Sequence, residues 1–417
     1  MLRLVLCACV FLVVVNRTSA AELPTSTPEA VGMSGDKLKE IGTIMNGLID
    51  DHKIAGGIVL IARNGKLVFH EPYGVMDLET KKPVTRDTIF RIYSMSKAIT
   101  SAAALMLYDE GKLRLDVPVS QYLPEFKDLQ VRDGDTQHPA KRAMTVEQLF
   151  LHTSGIPYGN PGGNETEKMY EAANVMDRDS DLALMTKKMG QIPLSFEPGT
   201  DWQYGAGIDV LGRVVEVVSG KPLDEFLEER LFQPLGMTDT GFYVPDGKRE
   251  RFATNYFSDG KGRMIIRDDP RRSGYRNKPG LLSGGGGLVG TASDYMRFLL
   301  MIANDGKVGD KQLLKKETVD MMRTDRVPKV AGWVKFNPEE RTGVGYGLGF
   351  SVTVEPSKAN PHAERYEYGW GGAASTHYWL SPDDGLIVIT MEQRMPYSPE
   401  TEEKLKPVIY DSISWNR

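Results

Sequence analysis

Phe90-Arg91-Ile92-Tyr93-Ser94-Met95-Ser96-Lys97 runs directly into Ala98-Ile99-Thr100-Ser101-Ala102-Ala103-Ala104-Leu105-Met106-Leu107. The second segment has no polar face, so it predicts a helix buried on all sides, ending near Gly111. Ser94 falls where that helix begins, and Lys97 lies one turn on, on the same face. A lysine entering such a helix leaves water, and desolvation disfavours its charged form, which suits it to take a proton from a nearby hydroxyl. A serine at a helix N-terminus also meets backbone N–H groups able to hold developing negative charge. The pair has the makings of an activated nucleophile that needs no histidine. A capping serine and a snorkelling lysine explain it equally well from these residues alone.

The same spacing recurs at Ser34-Gly35-Asp36-Lys37 and Ser258-Asp259-Gly260-Lys261. The first reads as an N-cap to an amphipathic helix and the second as a Gly/Asp turn. Only Ser94 precedes an apolar helix.

Outward from that stretch, the 417 residues are 41% hydrophobic and 26% charged, enough for a large core. A net charge of −5 gives no reason to expect nucleic acid or an anionic membrane surface as partner. Met1-Leu2-Arg3, the apolar run from Leu4 to Val15 and the small residues to Ala21 read as a secretory leader cleaved after Ala20 or Ala21. Leu4 to Val15 is too short to span a bilayer. The expected location is therefore secreted or periplasmic, with no stable membrane insertion after cleavage. Both cysteines, Cys7 and Cys9, fall in the leader, so the mature chain would have no disulfide and no thiol nucleophile.

In chain order, 34–51 reads as a helix, and 56–62 and 66–70 as strands joined at Arg63-Asn64-Gly65, where Asn-Gly signals a hairpin. Helical patterns follow at 146–151, 182–189, 208–218, 223–231 and 293–303. Pro157-Tyr158-Gly159-Asn160-Pro161-Gly162-Gly163 reads as a loop, and Arg267-Asp268-Asp269-Pro270-Arg271-Arg272 as a solvated one. Ser283-Gly284-Gly285-Gly286-Gly287 lacks the Lys-Ser/Thr of a phosphate loop and reads as a tight turn. Strands return at 349–354, 367–372, 376–380 and 386–391, with Pro382-Asp383-Asp384-Gly385 as a turn. A helix from Pro399 to Ile413 closes the chain, capped by Ser398 and open to a kink at Pro407. Strands at both ends predict one sheet built from the two terminal regions (about 21–114 and 281–417) around a helical insertion at about 115–280.

Two distant stretches offer partners for Ser94. In Phe196-Glu197-Pro198-Gly199-Thr200-Asp201-Trp202-Gln203-Tyr204-Gly205-Ala206-Gly207, Tyr204 sits before a helix, where a phenol near a lysine can shuttle a proton. Tyrosines number 17, and most such rings simply pack. In Tyr368-Gly369-Trp370-Gly371-Gly372-Ala373-Ala374-Ser375-Thr376, small residues admit a substrate close to the backbone, and an N–H there could complete an oxyanion hole with that of Ser94. A glycine-rich bulge is the plainer reading. No Gly-x-Ser-x-Gly elbow and no His-Glu-x-x-His occurs, and the six histidines are scattered without ligand spacing. His152-Thr153-Ser154-Gly155 reads as a cap and turn.

Taken in order, Ser94-Met95-Ser96-Lys97, Tyr204 after Phe196-x-Pro198-Gly199, and Trp370-Gly371-Gly372 resemble the serine β-lactamase and penicillin-binding-protein superfamily. Within it the match is to class C β-lactamase-like hydrolases and the family VIII carboxylesterases. Leu151-His152-Thr153-Ser154-Gly155, Pro234-Leu235-Gly236-Met237 and Gly345-Tyr346-Gly347-Leu348-Gly349-Phe350 add to it, so the likeness spans nearly the whole mature chain. The resemblance implies an α+β fold: an antiparallel sheet flanked by helices, a mostly helical second domain, and a site between them. It implies Ser94 as acylated nucleophile, Lys97 and Tyr204 as the general-base system, and the Ser94 and Ala373 N–H groups as oxyanion hole, with Trp370, Gly371 and Gly372 beside the substrate. It implies no cofactor and no metal.

The departures bear on substrate. The tyrosine element in β-lactamases is Tyr-x-Asn; here it is Tyr204-Gly205-Ala206. Their third element opens with a lysine that binds the substrate carboxylate; here Trp370 stands there. Losing both anchors should cost β-lactam or peptide recognition on the order of 2–5 kcal/mol. Ester hydrolysis is therefore expected, with a small-molecule ester as partner. β-Lactamase or D-alanyl peptidase activity, acyl transfer to an alcohol, and a non-catalytic binding protein on this scaffold are the alternatives. Which of Lys97 and Tyr204 is the base stays open, as do acyl and alcohol preference and oligomeric state.

Overall fold

Asn64 and Gly65 both take positive φ, 50° and 75°, the backbone that a two-residue hairpin turn demands. They join β1 (Gly56–Arg63) to β2 (Lys66–Asp77), which runs well past the expected His70. The computed structural model describes residues 22–414 apart from 161, 260, 337–338 and 356–365. The leader at 1–20 and His362 lie outside the described residues.

β3 (Lys82–Pro83) pairs with β2; after the long middle region come β4 (Val344–Tyr346), β5 (Ser351–Thr353), β6 (Tyr368–Gly372), β7 (Thr376–Ser381) and β8 (Leu386–Glu392). They form one sheet in the order β4-β5-β6-β7-β8-β1-β2-β3, antiparallel throughout. The sheet is thus built from the two ends of the chain, with Leu60 of β1 opposite Ile389 of β8. The fold is α+β and β-lactamase/transpeptidase-like: a large antiparallel sheet flanked by helices.

Both faces of β1 are covered. Ile58 and Leu60 face a core shared with α2 (Ser96–Asp109), α3 (Gly207–Ser219) and α4 (Ala292–Ala303). Val59 and Ile61 face α1 (Glu40–Asp50) and α5 (Glu400–Asp411). Burying each of these side chains stabilises the fold by roughly 1.5–3 kcal/mol. The pattern of β1 is a continuous apolar run because neither face meets water.

Every residue of α2 from Ser96 to Leu107 is buried. Ala102, Ala103 and Ala104 keep it slim. Thr100 Oγ1 donates to the Gly284 carbonyl at 2.8 Å, so the helix satisfies its buried hydroxyl by holding the glycine run. Ser94 itself is not in the helix. It sits in a 3₁₀ turn, Tyr93–Met95, entered through a positive φ of 40° at Tyr93.

Other expectations shift locally. The predicted 34–51 helix breaks at Lys39, leaving Gly35–Leu38 before α1, with Ser34 capping Lys37 N. The 223–231 pattern is α-helical over Leu223–Leu227 and then widens into a π turn over Glu228–Phe232. Pro399, not Ser398, is the cap residue of α5; Ser398 Oγ accepts from Glu400 N at 3.3 Å, and the helix runs through Pro407. The middle region also holds a helix over Glu165–Ala172 and hairpins at Gln130–Asp133/Thr136–Pro139 and Asn255–Ser258/Met264–Asp268.

The run at 267–272 is a solvated loop only in part: Arg267, Arg271 and Arg272 are exposed and 270–272 form a turn, but the two acids are engaged. Arg267 and Asp268 end a strand, and Asp268 Oδ2 lies 2.6 Å from Nη2 of Arg91, a fully buried guanidinium. Asp269 is buried against Arg271. A guanidinium taken out of water requires a paired carboxylate, and the run supplies one. Among the described residues no helix is long and apolar enough to cross a membrane.

Candidate active site

The 3₁₀ turn, α2 and the segment before α3 bring three distant side chains together. Ser94 Oγ lies 3.2 Å from Lys97 Nζ and 2.6 Å from the Tyr204 hydroxyl. Lys97 is buried; besides Ser94 it donates to the Gly285 carbonyl at 2.6 Å and to the Tyr158 hydroxyl at 3.1 Å. Tyr158 in turn donates to Asp209 Oδ2 at 3.3 Å. Asp209, fully buried on α3, accepts through Oδ1 from Gly285 N at 3.0 Å and from Ser283 Oγ. A hydrogen-bonded chain thus runs from the serine through amine and phenol to a buried carboxylate, with every link within reach of proton transfer or tight positioning.

Glycines make this packing possible. A Cβ on Gly285 would stand 2.3 Å from Asp209 Oδ2 and 2.8 Å from the Tyr158 hydroxyl. One on Gly205 would stand 1.9 Å from the Ile156 carbonyl. The run at 283–287 is a turn as expected, but it is also a wall of the site, because its carbonyl holds the lysine.

Tyr204 is held by rings. His152 lies 4.8 Å away, Phe336 5.4 Å and Trp370 5.6 Å between centroids, and Lys97 Nζ sits 4.6 Å over the phenol ring. Trp370 Nε1 lies 3.4 Å from the Tyr204 hydroxyl. Trp370 therefore packs on the phenol that touches Ser94. His152 takes φ 57°, accepts from Gly205 N through Nδ1 at 3.4 Å, and is buried. Burial, with the Lys97 charge second, holds its pKa well below the ordinary value, so it stays neutral. Its part goes beyond a cap and turn: it backs the tyrosine. Burial, with Asp209 second, pushes Tyr158 well above the usual phenol range, keeping it a donor.

Ala373 lies in the turn between β6 and β7 and lines the cavity that opens on Ser94. Its N–H has no acceptor among the described residues. Gly372 lets β6 close on the serine turn, since a Cβ there would stand 2.5 Å from the Ile92 carbonyl. Gly371 lies against the Tyr397 ring. Ala206 is buried at the start of α3 and presents no polar group. The cavity measures about 300 Å³. Among the described residues no group of three or more His, Cys, Asp or Glu is placed to hold a metal.

Reading residues in sequence missed Tyr158, Asp209, Ser283 and Gly285. Tyr158 lay in a Pro/Gly stretch that reads as a connector. Asp209 gave a usable signal, an acid inside the apolar run of a helix.

A model of the Beta-lactamase family matches residues 41–408. The chain belongs to that family. It is a serine hydrolase of the beta-lactamase superfamily, and relatives within it include esterases. Esterase EstB of Burkholderia gladioli is 31% identical over 84% of this chain and 89% of its own. Lovastatin esterase of Penicillium rubens is 31% identical over 82% and 90%. Among solved structures, EstCE1, described as a hydrolase with promiscuous acyltransferase activity, superposes with a TM-score of 0.75 at 27% identity, covering 90% of this chain and 98% of its own.

Proposed function

We propose that the protein hydrolyses carboxylic esters through a covalent acyl-enzyme on Ser94. The observation that carries the reading is Ser94 Oγ held between Lys97 Nζ and the Tyr204 hydroxyl, in a site with neither a charged nor an amide anchor at positions 370 and 206. Ser94 Oγ bonds to the ester carbonyl carbon while its proton passes to Lys97 or Tyr204. The Ser94 and Ala373 N–H groups receive the charge on the carbonyl oxygen. Collapse breaks the bond to the alcohol, which leaves with the proton. Water then attacks the acyl-serine by the same route in reverse and releases the acid. Tyr158, Asp209 and Gly285 hold the base system in register. Export to the periplasm or beyond belongs to this reading and is supported by the apolar leader.

The test is hydrolysis of p-nitrophenyl butyrate by wild type and Ser94→Ala, with intact mass and peptide mapping after brief exposure to the ester and to a cephalosporin. Turnover that vanishes in the variant, with an acyl adduct at residue 94, is expected. Equal rates sink the assignment, and faster turnover of the cephalosporin replaces the esterase reading with a β-lactamase one. A second reading, acyl transfer to an alcohol in place of water, is favoured by the described activity of EstCE1. Product analysis in the presence of a small alcohol separates the two.

A further inference from the structure

The cavity that opens on Ser94 carries a cation which the ester chemistry above leaves without a task. Arg178 lines it together with Met176, Tyr275, Pro279 and Leu281, and no Asp or Glu lines it. The Arg178 guanidinium lies 4.7 Å from the Tyr275 ring centroid. Its Nη2 donates to the Gly274 carbonyl at 2.6 Å. A Cβ on Gly274 would stand 3.0 Å from Arg178 Nε, so the glycine lets the side chain lie flat on that backbone. The Arg178 carbonyl accepts from Leu281 N at 3.1 Å, which ties the segment into the wall.

Arg178 makes no ion pair among the described residues. Of the acids beside it in the chain, Asp177 Oδ1 accepts from Asp179 N, and Asp179 is exposed. A guanidinium has five N–H donors in a planar fork. One donor is spent on Gly274 and one face on Tyr275. A half-buried cation in a cavity of aromatic and aliphatic walls, without a counter-charge, is an unfinished pair. Its fork matches a carboxylate in shape and charge.

We propose that Arg178 is a specificity-determining residue that selects esters bearing a carboxylate remote from the scissile carbonyl. This deepens the esterase reading and rests on it. The cation comes from the middle region of the chain, not from the strand position held by Trp370.

The experiment compares two matched pairs of substrates. On the acyl side, mono(4-nitrophenyl) adipate is set against 4-nitrophenyl hexanoate. On the alcohol side, the butyryl ester of 4-hydroxybenzoate is set against phenyl butyrate. Wild type should prefer the anionic member of at least one pair in kcat/KM, chiefly through KM, and added salt should shrink that preference. R178Q should lose it by about tenfold while turning over the neutral esters at the wild-type rate, and R178K should retain part of it. The salt series needs no variant and stands even if R178Q folds poorly. Neutral esters turned over with no anionic preference in either pair, or equal losses on both members in R178Q, overturn the role of Arg178. No turnover of any ester overturns the esterase reading, and this proposal with it.

Discussion

Ser94 Oγ has two proton-bearing neighbours, Lys97 at 3.2 Å and Tyr204 at the shorter 2.6 Å. Tyr204→Phe keeps the ring among His152, Phe336 and Trp370 and removes only the hydroxyl. We predict that kcat for ester hydrolysis falls 10²–10⁴-fold, the usual range for removing an acid–base group, while thermal stability barely moves. An activity within twofold of wild type would remove Tyr204 from the proton path. Ser94, Lys97 and Tyr204 were legible as a set: each alone had an equally plain structural reading, and only the ordered motifs Ser94-x-x-Lys97, Tyr204 and Trp370-Gly371-Gly372, with the family they resemble, singled them out. Tyr158 and Asp209 were not. Their meaning lies in contacts between a loop, a helix and a glycine run distant in sequence, and no local pattern encodes such a meeting.

Elements carry that hidden half of the site. The glycine run is pressed between α2 and α3: Thr100 holds Gly284, Asp209 holds Gly285, and Gly285 holds Lys97. We predict that Gly285→Ala, whose methyl would meet the Asp209 carboxylate at 2.3 Å, destabilises the protein by ~1–3 kcal/mol and lowers esterase kcat at least tenfold. Gly247→Ala, with no atom within 4 Å of its added methyl, is the control and should match wild type in urea unfolding and in rate. A Gly285→Ala protein as stable and active as that control would show that the turn tolerates what its geometry forbids. Elements with strong local punctuation were readable: the Asn64-Gly65 hairpin, the Leu182–Met189 helix and the paired strands β7 and β8. The helix at Glu165–Ala172 was missed: Asn164 and Glu167 form a capping box that could have marked its start, but its short apolar pattern gave no period. The 267–272 run misled in part because five charged residues around a proline look solvated until Arg91, far upstream, is found in need of a carboxylate.

Over the whole molecule, the sheet is gripped from behind by α5, and one buried acid sits at that junction. Glu392, at the end of β8, is fully enclosed and accepts from Thr401 Oγ1 of α5 at 2.9 and 3.1 Å. Burial raises its pKa from the ordinary 4.5 to about 8, opposed by Thr401 and Arg394 and reinforced by Glu400. Between those two values the folded chain keeps a proton that the unfolded chain has lost, so stability falls as pH rises through this window. The slope is up to about 1.4 kcal/mol per unit. Glu392→Gln keeps the shape and cannot ionise. Urea midpoints should decline with pH across that range in wild type and stay flatter in the variant, and parallel curves would refute the assignment. That the sheet joins both ends of the chain was legible from strands clustered at the two termini; the order of its edges was not, because strand pairing is set by packing across the whole molecule. The joining of Leu60 to Ile389 also governs biosynthesis. A ribosome releases β1 long before β8 exists, so the nascent polypeptide must carry an apolar strand lacking one neighbour through most of translation. The nucleophile can meet its wall only when the final strands emerge, which leaves a half-made chain inert and dependent on shelter from aggregation.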